Sequence, residues 1–369
     1  MDDSRIAIVL GTRAELIKIF PVMRELSNAK IPYYFIHTGQ HNLKSLCSAF
    51  EVKEPDIILT KEPEKSSKFN AKQIKAGLWI IGLIFKIRKQ IKKLKKLEYV
   101  LYHGDTMTTA TAAVATSRLL NPFKKYKNVH LEAGLRSFDN SEPFPEEISR
   151  KFAGFFSDIL LAVSDMAELN LSKNKSKVVK IGNTILDSAS IAMKIAEKEG
   201  AKPLSKKKFA LVTIHRHENL KSKERMEKII DILSDIKITT FFAIHDNTIQ
   251  KLKEFGLYER LSVNPNIKLI APMDYPSFIY QISQCSLIIC DGGSMQEESL
   301  IFKKPCILLR KATERQEGLN SNFQFLSKLD VEKTKEKIKE YLSPQFRTAE
   351  FNNPYGNVGI SKKILEILR

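Results

Sequence analysis

Short runs of consecutive apolar residues alternate with longer helical patterns along nearly the whole chain of 369 residues. In the first half, runs of strand length fall at residues 6–10, 33–37, 99–103, 129–132, 159–163 and 178–181. In the second half they fall at 209–215, 240–245, 267–271, 287–291 and 306–309. A strand that is apolar at consecutive positions is covered on both faces. The pattern therefore predicts an α/β fold with parallel sheets flanked by helices.

The length and a change in composition predict two domains. A Lys-rich stretch at residues 197–208 contains Gly200, Pro203 and Ser205 and separates the two series of strands, which is typical of an inter-domain connection. We expect Rossmann-like domains over residues 1–195 and 205–350, facing each other across a cleft. Ligands of open parallel sheets bind beyond the carboxyl ends of the strands, so loops from both domains would meet in that cleft.

The charge balance is strongly basic, with 60 Lys and Arg against 42 Asp and Glu and a formal net charge of +18. Such a balance suits a nucleic-acid-binding protein, an enzyme for phosphate-bearing ligands, or a protein on an anionic membrane surface. Lysine is spread along most of the chain, and no nucleic-acid-binding module is recognisable. We therefore do not expect nucleic acid as a partner.

Several features predict a cytoplasmic protein. The acidic start Met1-Asp2-Asp3 leads into a strand-like run, which is unlike a signal peptide. No apolar stretch reaches the roughly 20 residues that a bilayer crossing requires. The four cysteines show no metal-ligand spacing, so we expect buried free thiols in a reducing compartment.

One segment allows two interpretations. The apolar run at residues 77–85 leads into a stretch at 86–96 that is dense in Lys and Arg. It is too short to span a membrane, and the simpler interpretation is a buried helix that precedes the strand at 99–103. The alternative is a basic amphipathic helix over 77–96 that makes a peripheral contact with a membrane or a partner.

The first strand ends in Gly11-Thr12-Arg13, and a helix predicted to begin near Glu15 carries Lys18. A glycine at a strand-to-helix turn lets the backbone approach a ligand, and a helix N-terminus favours an anion. Arg13 and Lys18 add positive charge. Taken alone this feature is weak, because many Rossmann-type turns share it.

Polar groups follow the next three strands as well, in the segments Thr38-Gly39-Gln40-His41, His103-Gly104-Asp105-Thr106 and Glu132-Ala133-Gly134-Leu135-Arg136, with Pro145-Glu146-Glu147 and Arg150 beyond. A single carboxylate at a strand end is usually a helix cap or a surface charge. A series of them at one sheet edge indicates a site that uses several acid/base groups.

The second half supplies a complementary set: Thr213-Ile214-His215-Arg216, His245-Asp246-Asn247, the segment from Asp291 through Gly292, Gly293 and Ser294 to Glu298, and Thr313-Glu314-Arg315. Small residues at a helix N-terminus allow backbone N–H groups to hold a diphosphate. Glu298 follows about one helical turn later, where a carboxylate can reach ribose hydroxyls.

Together these motifs resemble the UDP-N-acetylglucosamine 2-epimerase family in order and spacing. The shared motifs are GTRxExIK, TGQH, HGDTxTT, EAGLRS with PFPEE, GNTxxD, the HR dipeptide, QEE, TER and the terminal NPYG. The resemblance runs from Ile6 to the C-terminus. It implies a GT-B-like fold in which the last helix, within residues 353–369, crosses back onto the first domain, and a second domain that binds UDP.

The resemblance also implies a reaction. Members similar to this chain interconvert UDP-N-acetylglucosamine and UDP-N-acetylmannosamine by anti elimination of UDP to a 2-acetamidoglucal and re-addition of UDP. The family acts as homodimers with neither metal nor other cofactor, and the product would feed polysaccharide or glycoprotein glycan biosynthesis. The motifs leave the exact sugar open, including N-acetylgalactosamine and 6-deoxy analogues.

Site residues follow from motif positions. The catalytic set that the resemblance implies is Asp105, Glu132, Glu146 and His215. The substrate-binding set is Arg13, Lys18, Gln40, His41, Arg136, Arg150, Arg216, His245, Asn247, Phe278, Gly292, Gly293, Ser294, Glu298 and Arg315. Because the C2 proton is only weakly acidic, its removal must be concerted with departure of UDP, which requires a base and stabilisation of the diphosphate.

The chain departs from the family pattern at four places: Ala14 replaces a proline, Ser149 an asparagine, Gln316 a proline, and the turn Gly292-Gly293-Ser294 a Ser-Gly-Gly. Since the catalytic carboxylates and the histidine are retained, we expect epimerase activity. Two other activities stay open. A hydrolysing epimerase would release N-acetylmannosamine and UDP, and a GT-B-type glycosyltransferase would use a UDP-sugar near a membrane acceptor.

Overall fold

The computed structural model describes residues 4–60, 69–139 and 145–369, and for residues 69–78 the backbone only. The chain divides into two compact units. Unit 1 comprises Met1–Arg136, Phe144–Ser188 and Tyr355–Arg369, and unit 2 comprises Ser137–Pro143 and Ala189–Pro354. The main stretch of unit 1 thus ends at Ser188. The boundary expected from the sequence is residue 195.

Unit 1 is a parallel sheet with helices between successive strands. Its strands are β1 (Ile6–Leu10), β2 (Tyr33–His37), β3 (Ile57–Ile58), β4 (Tyr99–His103), β5 (Lys127–Ala133), β6 (Ile159–Ala162) and β7 (Lys177–Lys180). The helices that follow them are α1 (Arg13–Asn28), α2 (Lys44–Ala49), α3 (Phe69–Ile91), α4 (Met107–Thr116), α5 (Glu146–Phe156), α6 (Asp165–Asn170) and α7 (Ile185–Lys198), which runs across the unit boundary.

Unit 2 repeats this organisation. Its strands are β8 (Phe209–Thr213), β9 (Thr239–Ala243), β10 (Ile267–Ile270), β11 (Leu287–Cys290), β12 (Cys306–Leu308) and β13 (Gln324–Leu326). Its helices are α8 (His217–Leu220), α9 (Lys223–Ser234), α10 (Asp246–Glu254), α11 (Tyr258–Ser262), α12 (Tyr275–Gln284), α13 (Gly293–Ile301) and α14 (Val331–Leu342), with a 3₁₀ helix at Gln316–Asn320. The last helix, α15 (Ile360–Ile367), belongs to unit 1.

The strand orders place a topological switch point in each sheet. The first sheet runs β3-β2-β1-β4-β5-β6-β7 and the second β10-β9-β8-β11-β12-β13, and all strand pairs are parallel. The order reverses between β1 and β4 and again between β8 and β11. Open α/β sheets bind ligands at such points, beyond the carboxyl ends of the strands.

The sequence patterns predicted this class of fold, and the strands β1, β2 and β4 begin and end where expected. The apolar side chains of β1, and Val100, Leu101 and Tyr102 of β4, are fully or almost fully buried, as strands covered on both faces require. Two short strands, β3 and β13, were not predicted, since runs of two or three residues give little pattern. The first helix begins at Arg13 rather than near Glu15 because Thr12 caps it.

The C-terminal helix packs on the first unit, as the resemblance implied. Ile360, Ile364 and Leu365 on one side of α15 are buried, and α15 contacts α1. The Asp187 carboxylate accepts the backbone N–H groups of Gly359 and Ser361, at 2.5 and 2.7 Å. A carboxylate at a helix N-terminus satisfies N–H groups that lack intrahelical partners.

Three further features concern the cysteines, membrane-spanning helices and metal ligands. All four cysteines are buried and free. Within the part of the chain that the structure describes, no helix is long and apolar enough to cross a membrane. Among those same residues, no group of three or more His, Cys, Asp or Glu side chains is arranged to hold a metal ion.

Candidate functional site

Glu15 joins the two turns at the switch point of unit 1. Its Oε2 accepts the backbone N–H groups of Gly11 and Thr12, at 2.8 and 2.7 Å. Its Oε1 accepts the hydroxyls of Thr106 and Thr109, at 2.6 and 3.1 Å. The turn after β1 is thereby fixed to the turn after β4.

Glu15 is a site residue that the family motifs do not single out, although the pattern Thr-x-x-Glu signals a capping box. The structure shows both halves of that box, in which the Thr12 side chain accepts the N–H of Glu15. Burial raises the pKa of the Glu15 carboxyl, and its hydrogen bonds act in the opposite direction. Ala14 lies in the same first turn, so the capping box fixes the turn that the family's proline would rigidify.

Gln40 and His41 lie next to this turn. Gln40 Oε1 accepts the Thr108 hydroxyl at 2.7 Å, and the backbone N–H of Arg13 donates to His41 Nδ1 at 3.3 Å. Gly11 leaves room for the contact, since a Cβ at that position would overlap Gln40 and Thr108. The Arg13 side chain is exposed. The structure therefore brings these predicted binding residues together beside the N-terminus of α1.

Glu132 occupies a strained position at the end of β5. Its φ is +63°, and the pairing of β5 with β6 shifts register between Leu131 and Ala133. A bulge of this kind redirects a side chain, and a non-glycine residue in the left-handed region persists only where its surroundings hold it. The carboxylate is buried and forms an ion pair with Lys18.

Two further groups lie against this carboxylate. His103 Nδ1 is 3.7 Å from Glu132 Oε2, and Asn183 donates its amide N–H to Oε1 at 3.3 Å. Burial lowers the pKa of His103 to about 4, so the ring is neutral near pH 7 and Lys18 supplies the positive charge. Asn183 belongs to the GNTxxD motif, but its 51-residue separation from Glu132 leaves no local sequence signal of this contact.

Asp105 belongs to a second ion-pair network. Arg150, only 2% exposed, pairs with Asp105 and with Glu147, whose Oε2 lies 3.2 Å from Arg150 Nη1. Arg136 Nε is 3.8 Å from the other oxygen of Glu147. The network thus joins the turn after β4, the start of α5 and the segment after β5.

Of the adjacent glutamates at the start of α5, the family resemblance indicates Glu146 as catalytic and implies no role for Glu147. In the structure Glu146 is half-buried at the first position of the helix, whereas Glu147 is 1% exposed and holds both arginines. A helical turn separates Glu147 from Arg150, which is the spacing that brings two side chains together. Glu147 is therefore the glutamate that the two arginines contact in the interior.

In unit 2 a buried carboxylate again joins the two sides of the switch point. Asp291, fully buried at the end of β11, accepts the backbone N–H groups of His215 and Arg216, at 3.1 and 2.9 Å, and the Asn219 amide at 3.0 Å. His215 Nδ1 lies 3.7 Å from Asp291 Oδ1. Asp291 therefore holds the turn after β8 in the way that Glu15 holds the turn after β1.

The diphosphate turn predicted from sequence is the N-terminus of α13. Gly292 is the N-cap, and no described side chain caps the helix there. The His215 ring lies beside this turn, with its Cε1 3.4 Å from where a Cβ on Gly292 would be. Ser294 is half-buried in the first turn. Backbone N–H groups without a side-chain cap, next to an imidazole, form a favourable environment for an anion.

Arg315 lies beneath this helix N-terminus. It is 4% exposed, its Nε is 2.8 Å from Glu297 Oε1, and it also pairs with Glu314. Glu314 in turn pairs with Arg310 at 2.9 Å. The Arg315 guanidinium is therefore held by protein carboxylates within the interior of unit 2. Gln316 begins the 3₁₀ helix that follows.

Three of the other predicted binding residues of unit 2 lie on helices, and His245 precedes one of them. Glu298 is 1% exposed on α13 and lies close to Tyr275, whose pKa is raised by burial and by this carboxylate. Phe278 is half-buried on α12, and Asn247 is exposed in the first turn of α10. The His245 ring lies 5.4 Å from that of His215, and burial, followed by this neighbour, lowers the pKa of His245.

Comparison with known proteins indicates the same family as the sequence motifs. A profile for UDP-N-acetylglucosamine 2-epimerases matches residues 24–369. A UDP-N-acetylglucosamine 2-epimerase of Methanococcus maripaludis is 34% identical over 381 residues, which cover 99% of this chain and 98% of that protein.

Among solved structures, the UDP-GlcNAc 2-epimerase of Methanocaldococcus jannaschii in complex with UDP-GlcNAc and UDP superposes with a TM-score of 0.83 at 32% identity, covering 98% of this chain and 99% of that one. The enzyme of Neisseria meningitidis bound to UDP-GlcNAc gives a TM-score of 0.79 at 27% identity, with coverages of 98% and 99%. These neighbours are GT-B-like, as the sequence analysis expected.

Proposed function

Because the chain belongs to the UDP-N-acetylglucosamine 2-epimerase family, we propose that it interconverts UDP-N-acetylglucosamine and UDP-N-acetylmannosamine without net hydrolysis. The observation that carries the proposal is Glu132, a buried carboxylate held at positive φ between Lys18, His103 and Asn183. A strained and fully supported acid/base group of this kind is typical of an active site.

The proposed reaction is an elimination followed by an addition. A carboxylate takes the proton from C2 while the C1–O bond breaks, the electron pair of the C–H bond forms the C1=C2 double bond, and UDP leaves with the C–O electron pair. In the reverse step a proton is delivered to the opposite face of C2 and a UDP oxygen attacks C1. Because a proton is removed from one face of C2 and delivered to the opposite face, the reaction requires acid/base groups on both sides of the sugar. We propose Asp105, Glu132 and Glu146 for these roles.

Unit 1 would supply this proton transfer. Lys18 keeps a positive charge beside Glu132, which favours the ionised carboxylate that a base requires. Arg150 forms an ion pair with Asp105. His103 is neutral near pH 7 because burial lowers its pKa to about 4, so it does not compete with Lys18 for the carboxylate charge.

Unit 2 would hold UDP. We propose that the first backbone N–H groups of α13, at Gly293 and Ser294, bind the diphosphate and that His215 donates a hydrogen bond to it. The absence of a side-chain cap among the described residues at this helix start leaves those N–H groups for a ligand. Stabilising the charge that develops on departing UDP lowers the barrier of the elimination.

The deciding experiment is incubation of the purified protein with UDP-N-acetylglucosamine in D2O, followed by proton NMR. We expect deuterium at C2 and growth of UDP-N-acetylmannosamine signals to an equilibrium. Free N-acetylmannosamine with UDP would instead place the protein among hydrolysing epimerases. Intact substrate without exchange, while UDP binding is retained, would contradict both assignments and favour a transferase.

We also propose a homodimer, as the family resemblance implies. The helices α3 and α5 both pack on α4 and expose Ile81, Phe85, Phe152 and Phe155 by 53, 60, 49 and 77%. Exposed apolar side chains on two helices that pack on the same third helix are candidates for an association surface. Sedimentation equilibrium should give a dimer that Phe155→Asp dissociates. A monomer that cosediments with anionic vesicles would support the peripheral membrane contact through residues 77–96.

A further inference from the structure

We propose that Asn183 is a positioning residue for Glu132 and that the C-terminal segment keeps Asn183 in place. The inference rests on the proposed function, in which Glu132 acts in proton transfer at C2. Asn183 is 1% exposed and lies in the loop between β7 and α7. Its amide nitrogen donates to Glu132 Oε1 at 3.3 Å, so it contacts the same oxygen that pairs with Lys18.

The start of α7 fixes which end of the Asn183 amide faces the carboxylate. Asn183 Oδ1 accepts the backbone N–H of Ile185 at 3.0 Å. An amide whose oxygen is engaged in this way presents its NH₂ group on the other side. Asn183 therefore offers Glu132 a donor in a fixed direction. An amide without this anchor could flip and present its oxygen to the carboxylate instead.

The C-terminal segment holds the backbone of this turn. The Asn183 N–H donates to the carbonyl oxygen of Tyr355 at 3.0 Å, and Tyr355 is fully buried. Gly182 has φ +98°, and a Cβ on it would lie 2.5 Å from the Tyr355 oxygen. One turn along α7, Asp187 accepts the N–H groups at the start of α15. The segment from Tyr355 to α15 is thus attached at both ends of the GNTxxD motif.

The first turn of α7 also contacts the part of α1 that carries Lys18. The Ser188 hydroxyl donates to the carbonyl oxygen of Ile17 at 2.6 Å, directly before Lys18 in α1. Both partners of the Lys18–Glu132 ion pair are therefore braced by residues between Asn183 and Ser188. Because Glu132 has a φ that is unfavourable for its residue type, its side chain depends on such neighbours for its position.

The test is Asn183→Asp, which keeps the shape and the oxygen that accepts the Ile185 N–H but replaces the donor by a second carboxylate. We expect kcat to fall about 100-fold, since a displacement of about 1 Å in a catalytic group costs that much, with KM changed little. A second carboxylate disfavours ionisation of the first, so the acid limb of the kcat profile should move up by roughly one pH unit or more.

A companion variant tests the C-terminal attachment. Asp187→Asn retains an acceptor for one of the two N–H groups of α15 and loses the charge that favours both. We expect a smaller decrease of kcat, again with KM changed little and with no shift of the acid limb, because no charge is added beside Glu132.

Ser222→Ala is the matched control, since Ser222 caps α9 in unit 2 by accepting the Arg225 N–H at 3.2 Å. It should lower thermal stability while leaving kcat and the pH profile as in wild type. An Asn183→Asp enzyme with wild-type kcat, or with reduced kcat and an unshifted acid limb, would overturn the inference. Failure of the proposed function itself would show separately, as absence of C2 exchange in the wild-type enzyme.

Discussion

The Asp105 side chain can be tested for an acid/base role separately from a role in folding. The Asp105 side chain is 26% exposed, while Arg150 is 2% exposed and keeps Glu147 at 3.2 Å as a second partner. We expect Asp105→Asn to fold, because the buried cation stays paired, and to lose roughly 100- to 10,000-fold in turnover. C2 exchange measured by NMR reports the loss.

The control for this variant is Asp165→Asn, which removes an exposed carboxylate paired with Lys180 in the same unit. Exposed ion pairs contribute little to stability, so this enzyme should resemble wild type in both turnover and thermal denaturation. Turnover of Asp105→Asn within a few-fold of wild type would contradict an acid/base role for Asp105.

His103 and His130 make the stability of the protein dependent on pH. Burial lowers the pKa of each to about 4. The unfolded chain binds these protons near pH 6.5 but the folded protein only near pH 4. The free energy of unfolding should therefore fall as the pH drops through this window, by about 3 kcal/mol for each histidine.

His130→Gln isolates this effect, because a glutamine can still donate to the Gly104 carbonyl oxygen that His130 Nε2 contacts at 2.7 Å. We expect a flatter dependence of the free energy of unfolding on pH between 6.5 and 4, measured by urea denaturation. His217→Gln alters an exposed histidine and should retain the wild-type slope. An unchanged slope in His130→Gln would mean that His130 is not held neutral.

At the scale of single elements, the packing of the N-terminus of α13 requires a glycine at position 293. A Cβ on Gly293 would overlap the Arg315 guanidinium and lie 3.0 Å from Glu314 Oε1. We expect Gly293→Ala to displace this buried ion pair and to lower the free energy of unfolding by about 1–3 kcal/mol. UDP affinity, measured by calorimetry, should fall as well, because the proposed diphosphate site is the same helix turn.

Gly82 provides the opposite case, since it lies within α3 and a Cβ there would have no neighbour within 4 Å. Gly82→Ala should raise the free energy of unfolding by about 0.5–1 kcal/mol, because alanine favours a helix interior. Thermal denaturation of Gly293→Ala and Gly82→Ala separates the effect of packing on stability from the effect of helix propensity. Similar changes in the two proteins would contradict the proposed contact at Gly293.

At the scale of the whole molecule, the fold of unit 1 depends on residues from the far end of the chain. Ile360, Ile364, Leu365 and Leu368 are buried, and each such side chain stabilises a fold by about 2 kcal/mol. Ordinary domains have a free energy of unfolding of only about 5–15 kcal/mol. Deleting residues 359–369 should therefore abolish cooperative unfolding and turnover, as measured by calorimetry and C2 exchange.

Deletion of Arg369 alone is the control, because this residue is exposed and should be dispensable for stability. A truncated protein that kept the wild-type melting temperature would show that α15 adds nothing to unit 1. Retained stability with reduced turnover would instead point to the contacts of Gly359 and Ser361 with Asp187.

The local pattern of the sequence determined the architecture and the strand ends from which the candidate site is built. Strands covered on both faces appear as consecutive apolar runs, and short polar motifs follow them, so β1, β2 and β4 and the segments after them could be predicted without a structure. Family motifs then indicated Asp105, Glu132 and His215.

Only the tertiary structure decided which neighbours act on these residues. The positive φ of Glu132, the burial of Glu147 rather than Glu146, and the contacts of Asn183 and Glu15 all depend on residues distant in the sequence. A period of 2 or 3.6 residues reports which face of an element is buried. It carries no information on which side chain from another element lies against that face, because that depends on packing of the whole unit.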